Sequence, residues 1–159
     1  MRGVYALILL VAGALVAGCS AEAARWDAPT GRWRMDSTET ARSCSAFADV
    51  RPFAGGDIAI NDHGRALKWH PAVGVAVRYK AIGDRSYKRT VNTTYQGCRI
   101  SADATLKLDH VDDDRLAGTY HVTYTRRTGS DACRSLPDRC ELSFDVTGNA
   151  GTAVSQAHR

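Results

Sequence analysis

The sequence lacks the short motifs that mark most small enzymes and metal proteins. It contains no Gly-x-Ser-x-Gly elbow, no His-Glu-x-x-His pair and no glycine-rich phosphate loop. No Cys-x-x-Cys pair is present, and the histidines follow no metal-ligand spacing; they are His63, His70, His110, His121 and His158. We therefore expect a protein that is not an enzyme and that holds neither a metal nor a cofactor.

Apolar stripes of helical period are also missing after residue 19. Residues 41–56 are the ambiguous exception and could hold a short helical turn. This absence argues against a helical bundle and leaves period-two alternation as the main structural signal.

The only long hydrophobic run lies at the amino terminus, and it is short. Arg2 supplies one positive charge, residues 4–18 are uncharged, and the chain turns polar at Ser20. A membrane-spanning helix needs about 20 apolar residues. Residues 1–18 are therefore predicted to be a cleaved secretory signal peptide rather than a permanent membrane helix.

Val16, Ala17, Gly18 and Cys19 close this run and resemble the lipobox of bacterial lipoproteins. The resemblance implies cleavage before Cys19 and attachment of acyl chains such as palmitate to that residue. Several buried chains anchor a protein firmly, because each buried methylene contributes about 0.8 kcal/mol. Ser20 resembles the sorting signal of enteric lipoproteins for the outer membrane, which implies a domain that faces the periplasm.

The other cysteines are Cys44, Cys98, Cys133 and Cys140, an even number in a chain predicted to reach an oxidising compartment. We expect them to form disulfides, although the sequence alone leaves the pairing open. We favour Cys133 with Cys140, which would close a short polar loop. Cys44 would then pair with Cys98 and tie an early segment to the middle of the sheet.

Alternation of apolar and polar side chains predicts β-strands along most of the chain. Residues 98–108 and 116–126 carry the clearest alternation, and the acidic residues 109–114 between them predict a hairpin loop. These acidic residues lack the spacing of a calcium loop, so we interpret them as a solvated turn. Further predicted strands span residues 31–40, 57–61, 65–69, 73–81, 86–95 and 141–147.

Short antiparallel strands of this number favour an all-β, eight-stranded up-and-down barrel over residues 31–148, since closure removes exposed sheet edges. A two-sheet β-sandwich is the alternative. Residues 19–30 are expected to form a flexible lipidated tether and residues 149–159 a disordered tail.

Gly31, Arg32 and Trp33 resemble the Gly-x-Trp signature at the first strand of lipocalins, whose eight-stranded barrels hold one small apolar ligand. A tryptophan at this place is also explained as a core plug at one end of a barrel. The resemblance and the barrel size together predict a binding module for a small apolar ligand or lipid. Ala102 and Ala104 would leave room for it, unless Tyr79, Tyr120 or Tyr124 fills the space.

The alternative function is a protein-binding lipoprotein, such as an enzyme inhibitor, an immunity protein or an accessory of envelope assembly. Its contact would be the loop between Cys133 and Cys140 together with nearby arginines, which are Arg126, Arg127, Arg134 and Arg139. Guanidinium groups suit phosphate and carboxylate partners, although solvated charges need no partner. A formal net charge of +4 with scattered basic residues does not predict nucleic-acid binding.

Overall fold

A computed structural model describes residues 26, 28–29, 31–61, 63–127 and 131–151 of the chain. They form a closed antiparallel barrel in which each strand pairs with the next and β8 pairs with β1. The predicted eight-stranded barrel is confirmed and the sandwich alternative is wrong. The strands are β1 (Arg32–Arg42), β2 (Asp57–Asn61), β3 (Ala66–His70), β4 (Val77–Gly83), β5 (Ser86–Tyr95), β6 (Cys98–Val111), β7 (Arg115–Arg126) and β8 (Arg139–Ala150).

Two strand boundaries depart from the alternation in the sequence. β4 begins at Val77 rather than at residue 73, because Gly74 has a φ of 113° and breaks the extended backbone. β6 continues to Val111, so the hairpin turn is shorter than residues 109–114. The carboxylate of Asp112 holds this turn by accepting the backbone N–H of Arg115 at 2.6 Å, and that bond lowers the pKa of Asp112.

The hydrophobic core fills the lower half of the barrel, defined as the end where the odd-numbered strands begin. Trp33 opens β1 and is only 1% exposed, which confirms the interpretation of this residue as a core plug. Other fully buried side chains come from all parts of the sheet; they include Ile58, Leu67, Leu106, Leu116 and Val146.

Trp26 closes the lower end of the barrel from outside the strands. It is 9% exposed, and its Nε1 donates to the Tyr87 hydroxyl at 3.2 Å. Gly64 has a φ of 79°, and a Cβ there would come within 2.4 Å of the Trp26 Nε1. The predicted flexible tether over residues 19–30 is therefore wrong at Trp26, because the barrel needs a large side chain to cover its lower end.

A cap segment, defined as residues 43–56, folds over the upper end of the barrel. It contains no helix, contrary to the short helical turn considered for residues 41–56. Phe47 and Phe53 point into the barrel and are buried, although both have a φ of 62°. A bulky residue in this left-handed region is strained by about 1–3 kcal/mol, so strong contacts must hold the cap.

Hydrogen bonds from β1 fix the cap at both of its ends. The Arg42 guanidinium donates to the Ala46 carbonyl at 2.7 Å. The Ser37 hydroxyl donates to the Pro52 carbonyl at 2.7 Å. The cap is thereby joined to the strand from which it emerges.

The disulfides join Cys44 to Cys140 and Cys98 to Cys133, with Cα–Cα distances of 5.5 and 4.9 Å. Disulfide formation is confirmed, but the favoured pairing of Cys133 with Cys140 and Cys44 with Cys98 is wrong. Barrel closure explains the difference: β1 and β8 are neighbours, so Cys44, just after β1, lies beside Cys140 at the start of β8. The loop between Cys133 and Cys140 is consequently not closed by a disulfide of its own.

The last strand also extends further than its apolar pattern. Asn149 and Ala150 pair with Arg34 and Trp33 of β1, so the predicted tail of residues 149–159 begins too early. The residues after Val146 are small, so the apolar alternation did not show that β8 continues beyond Val146. Residues 152–159 lie outside the described residues, as do Cys19 and the predicted signal peptide of residues 1–18.

Non-reducing peptide mapping should recover Cys44 linked to Cys140 and Cys98 linked to Cys133. Replacing Cys98 and Cys133 together by serine removes a disulfide that joins residues 35 positions apart in the chain. The loss should lower the free energy of unfolding by about 4 kcal/mol, because the unfolded chain gains entropy. Urea denaturation measures it, and a peptide that joins Cys133 to Cys140 would contradict the topology.

Candidate functional site

A cavity of about 250 Å³ lies in the upper half of the barrel, beneath the cap segment. Its walls come from β3 to β7, and Val50, Arg51 and Pro52 of the cap form its roof. An engineered protein cavity of about 150 Å³ holds benzene. This space is therefore large enough for a small organic molecule.

Small side chains on β6 create the cavity. Ala102 and Ala104 line it, whereas Leu106 and Leu108, further along the same face of β6, fill the lower core. Across the sheet Ala104 faces Val122, which is too short to fill the missing volume. The sequence-based expectation that these alanines leave room is confirmed.

Tyrosines supply most of the hydroxyl groups of the cavity. Tyr79, Tyr120 and Tyr124 line it, and the phenols of Tyr79 and Tyr120 lie close enough to influence each other's pKa. Burial raises the pKa of Tyr79 and of Tyr120, and raises the pKa of Tyr124 to about 12. All three phenols therefore stay neutral near neutral pH and can donate hydrogen bonds. They shape the cavity without filling it.

Arg89 reaches the cavity from β5, and the sequence analysis missed it. It pairs with inward-facing Ala104, so it lies on the interior face of the sheet between Tyr87 and Val91. Its guanidinium interacts with the Tyr79 hydroxyl. Among the described residues no carboxylate lines the cavity. The alternation of residues 86–95 could have identified Arg89, because every second residue of this strand faces inward and Arg89 is one of them.

Aromatic contacts hold the roof of the cavity in place. The ring of Phe53 lies 5.1 Å from that of Tyr120 and 5.7 Å from that of Trp69, both edge-on. Phe47 stacks on Tyr124 with 4.2 Å between ring centroids. These contacts join the cap to cavity-lining side chains, so the roof and the walls form one packed unit.

Trp69 stands at the edge of the cavity with a buried donor. Its Nε1 has no hydrogen-bond partner among the described residues. A Cβ at Gly56 would come within 2.4 Å of this nitrogen. Glycine is therefore required where the cap meets β2.

Arg126, one of the four arginines singled out in the sequence, is used within the fold. Its guanidinium donates to the Cys133 carbonyl at 2.7 Å and pairs with the Asp138 carboxylate. It thereby fixes the loop between β7 and β8. This role is structural and needs no external partner.

The other three arginines have different surroundings. Arg134 pairs with Asp131 at 2.7 Å, and Arg139 pairs with Glu141 at 2.5 Å. Arg127 lines an open groove on the side of the barrel. Two of these three charges are thus paired within the chain, beside a loop that no disulfide of its own closes.

Metal and membrane signals are absent from the part of the chain that the structure describes. No group of three or more His, Cys, Asp or Glu side chains there could hold a metal ion. Nor do those residues include a helix with the length and apolar character to cross a membrane.

Comparison of the chain with protein-family models, with curated proteins and with solved structures gives no match.

The buried tyrosines should make stability depend on alkaline pH. Raised pKa values keep Tyr79, Tyr120 and Tyr124 neutral in the folded protein, while the unfolded chain ionises near the ordinary value of 10.0. Their contribution is fully present below pH 10 and is lost as the pH rises toward about 12. Urea denaturation across this range should show a falling free energy of unfolding, and Tyr124→Phe should make the fall shallower. An unchanged slope in this variant would contradict the burial of Tyr124.

Removing Arg126 should destabilise the protein, whereas removing Arg134 should not. Arg126→Ala removes the charge-assisted hydrogen bond to the Cys133 carbonyl, which keeps the Leu136 N–H as a donor, and should cost about 1–3 kcal/mol. Arg134→Ala breaks only an exposed pair, which is worth under about 1 kcal/mol. Thermal denaturation of both variants measures the difference, and equal effects would show that Arg126 has no special role.

Proposed function

We propose that the protein is a non-enzymatic binding module of the bacterial cell envelope, which holds a small, largely apolar molecule beneath its cap segment. One observation carries the proposal: the upper half of the barrel contains a partly open cavity of about 250 Å³ that its own side chains leave empty. Eight-stranded barrels are either filled by side chains or hold one small ligand. The alanines on β6 and the space beside them support the second alternative for this barrel.

The chemistry of the cavity supports the same function. Val91, Ala102, Ala104 and Val122 form apolar walls, and a few hydroxyl and guanidinium groups stand among them. Ligand pockets generally combine apolar lining with a small number of polar groups that fix orientation. By comparison with the benzene-sized cavity, the space suits a ligand of about ten non-hydrogen atoms.

The envelope location rests on the amino-terminal sequence. Lipidation of Cys19 would attach the domain to the membrane, and Ser20 favours the outer membrane with the domain in the periplasm. Disulfides such as Cys44–Cys140 form readily in that oxidising compartment. The Gly-x-Trp resemblance at residues 31–33 adds a precedent in lipocalins for ligand binding inside a barrel.

The protein-binding alternative stays a prediction with a weaker structural basis. In this alternative the loop between Cys133 and Cys140 is the rigid contact for the partner. The disulfides instead join that loop to other parts of the barrel. Loop arginines such as Arg134 are already paired within the chain. The cavity is therefore the better-supported site.

Filling the cavity should abolish ligand retention. Ala104→Leu adds a branched side chain to the wall and should remove most of the space, because interiors accommodate added volume poorly. Wild-type protein purified from bacterial envelopes should carry extra mass in native mass spectrometry that disappears under denaturing conditions. The Ala104→Leu variant should show the bare mass.

Thr105→Leu is the matched control, because Thr105 is the next residue of β6 and its side chain faces outward opposite Lys88. This variant should retain the extra mass. Melting temperatures of both variants establish that they fold. A bare mass for the wild-type protein, or equal retention by Ala104→Leu, would count against the proposal.

A further inference from the structure

We propose that the ligand is a compact organic oxyanion, whose acidic group binds Arg89 and the hydroxyls of Tyr79 and Tyr120 while its apolar part occupies the alanine-lined space. This inference rests on the proposed function and makes it more specific. It narrows the small apolar ligand or lipid expected from the sequence to a compact molecule that also carries a negative charge.

Arg89 occupies an inward-facing position on β5. Its neighbours on the same face are Tyr87 and Val91, and across the sheet it meets Ala104. The side chain is half-buried, and a guanidinium that has lost part of its hydration is stabilised by a nearby negative charge. Among the described residues no carboxylate pairs with Arg89, and none lines the cavity. A bound anion would supply the missing charge.

The donor groups near Arg89 also favour an anionic ligand. Burial raises the pKa of Tyr79 and Tyr120, so their hydroxyls remain protonated donors. A guanidinium offers several N–H groups in a planar fork that matches the two oxygens of a carboxylate or two oxygens of a phosphate. The cavity therefore offers several hydrogen-bond donors and no carboxylate that could accept from them. This favours a ligand with an anionic oxygen group over a ligand with a neutral amide.

The barrel wall has an opening beside Arg89. β4 and β5 pair only from Lys80–Lys88 down to Gly83–Ser86. The part of β4 from Val77 to Tyr79 is therefore not paired with β5. An outer groove lies along these strands, and Arg89 lines both this groove and the inner cavity. Arg89 thus stands between the outer groove and the partly open cavity.

The outer groove is positively charged. Lys80 faces Lys88 directly across β4 and β5, and Lys68 faces Arg78 across β3 and β4. Like charges at directly opposed positions destabilise a sheet. Asp103 offsets this only in part, at 4.0 Å from Lys88. A positive surface beside the opening attracts anions and speeds their arrival.

The test uses full-length protein in detergent micelles and fluorine NMR titrations with probes that fit the cavity. 4-Fluorobenzoate and 4-fluorobenzamide have nearly the same shape but differ in charge, and 4-fluorophenyl phosphate tests the other oxyanion class. Arg89→Gln should weaken binding of 4-fluorobenzoate by about 10- to 100-fold, because a charge-assisted hydrogen bond is lost. Binding of 4-fluorobenzamide should change by less than about threefold. Whichever of 4-fluorobenzoate and 4-fluorophenyl phosphate binds more tightly identifies the class of oxyanion.

Two further variants separate charge inside the barrel from charge outside it. Arg89→Lys should recover part of the 4-fluorobenzoate affinity, since the charge returns without the fork. Lys88→Gln, one residue away on the outer face, should leave the equilibrium affinity within about threefold of the wild type. Melting temperatures verify the fold of each variant, and Arg89→Lys keeps the test valid if Arg89→Gln unfolds.

The outcomes distinguish the two proposals. If the benzoate and the amide bind the wild type equally and Arg89→Gln changes neither, the oxyanion inference is wrong while the binding cavity stands. If no probe binds the wild type, or if Ala104→Leu leaves binding unchanged, the proposed cavity function fails and the inference fails with it.

Discussion

The pairing of β1 with β8 is the interaction on which the rest of the structure depends. It runs from Trp33–Ala150 to Arg42–Leu142 with one irregularity near Thr40, and it converts an open meander into a closed barrel. Closure gives every strand a neighbour on both sides, which removes the two free edges of an open sheet, although β4 and β5 pair over only part of their length. It also brings Cys44 beside Cys140, and the resulting disulfide fixes the start of the cap segment. The cavity exists only because the sheet closes and the cap is held across it.

The two ends of the barrel are sealed in different ways, and this difference locates the cavity. At the lower end Trp26 covers a core that large side chains already fill. At the upper end the cap inserts Phe47 and Phe53 above a wall that contains Ala102 and Ala104. Both phenylalanines adopt a left-handed backbone conformation, which is retained only where surrounding contacts outweigh its cost. Stacking on Tyr124 and edge contacts with Tyr120 supply those contacts, so the roof is fixed above the empty volume instead of collapsing into it.

The sequence predicted the fold well because strand alternation is a local property. Period-two patterns located β2 and β5 to the residue, and the strand number pointed to closure. The disulfide pairing was wrong because it depends on which strands become neighbours, and β1 and β8 are far apart in the chain. Trp26 was missed because an isolated tryptophan in an alanine-rich segment carries no periodic signal. The sequence predicted the free space beside Ala102 and Ala104. It did not single out Arg89, because the predicted partner contact used arginines that lie close together in the sequence.

The contrast between Arg126 and Arg89 shows why position on a strand matters more than clustering along the chain. Arg126 finds a carbonyl and a carboxylate within its own loop, so its charge is satisfied by the fold. Arg89 finds tyrosine hydroxyls and an alanine on the interior face, and none of these groups is an anion. Arg89 is half-buried and borders an outer groove, so water still reaches part of its guanidinium. The proposed oxyanion would supply the negative charge that the interior face lacks, and it would bind on the same face where alanines make room for a ligand.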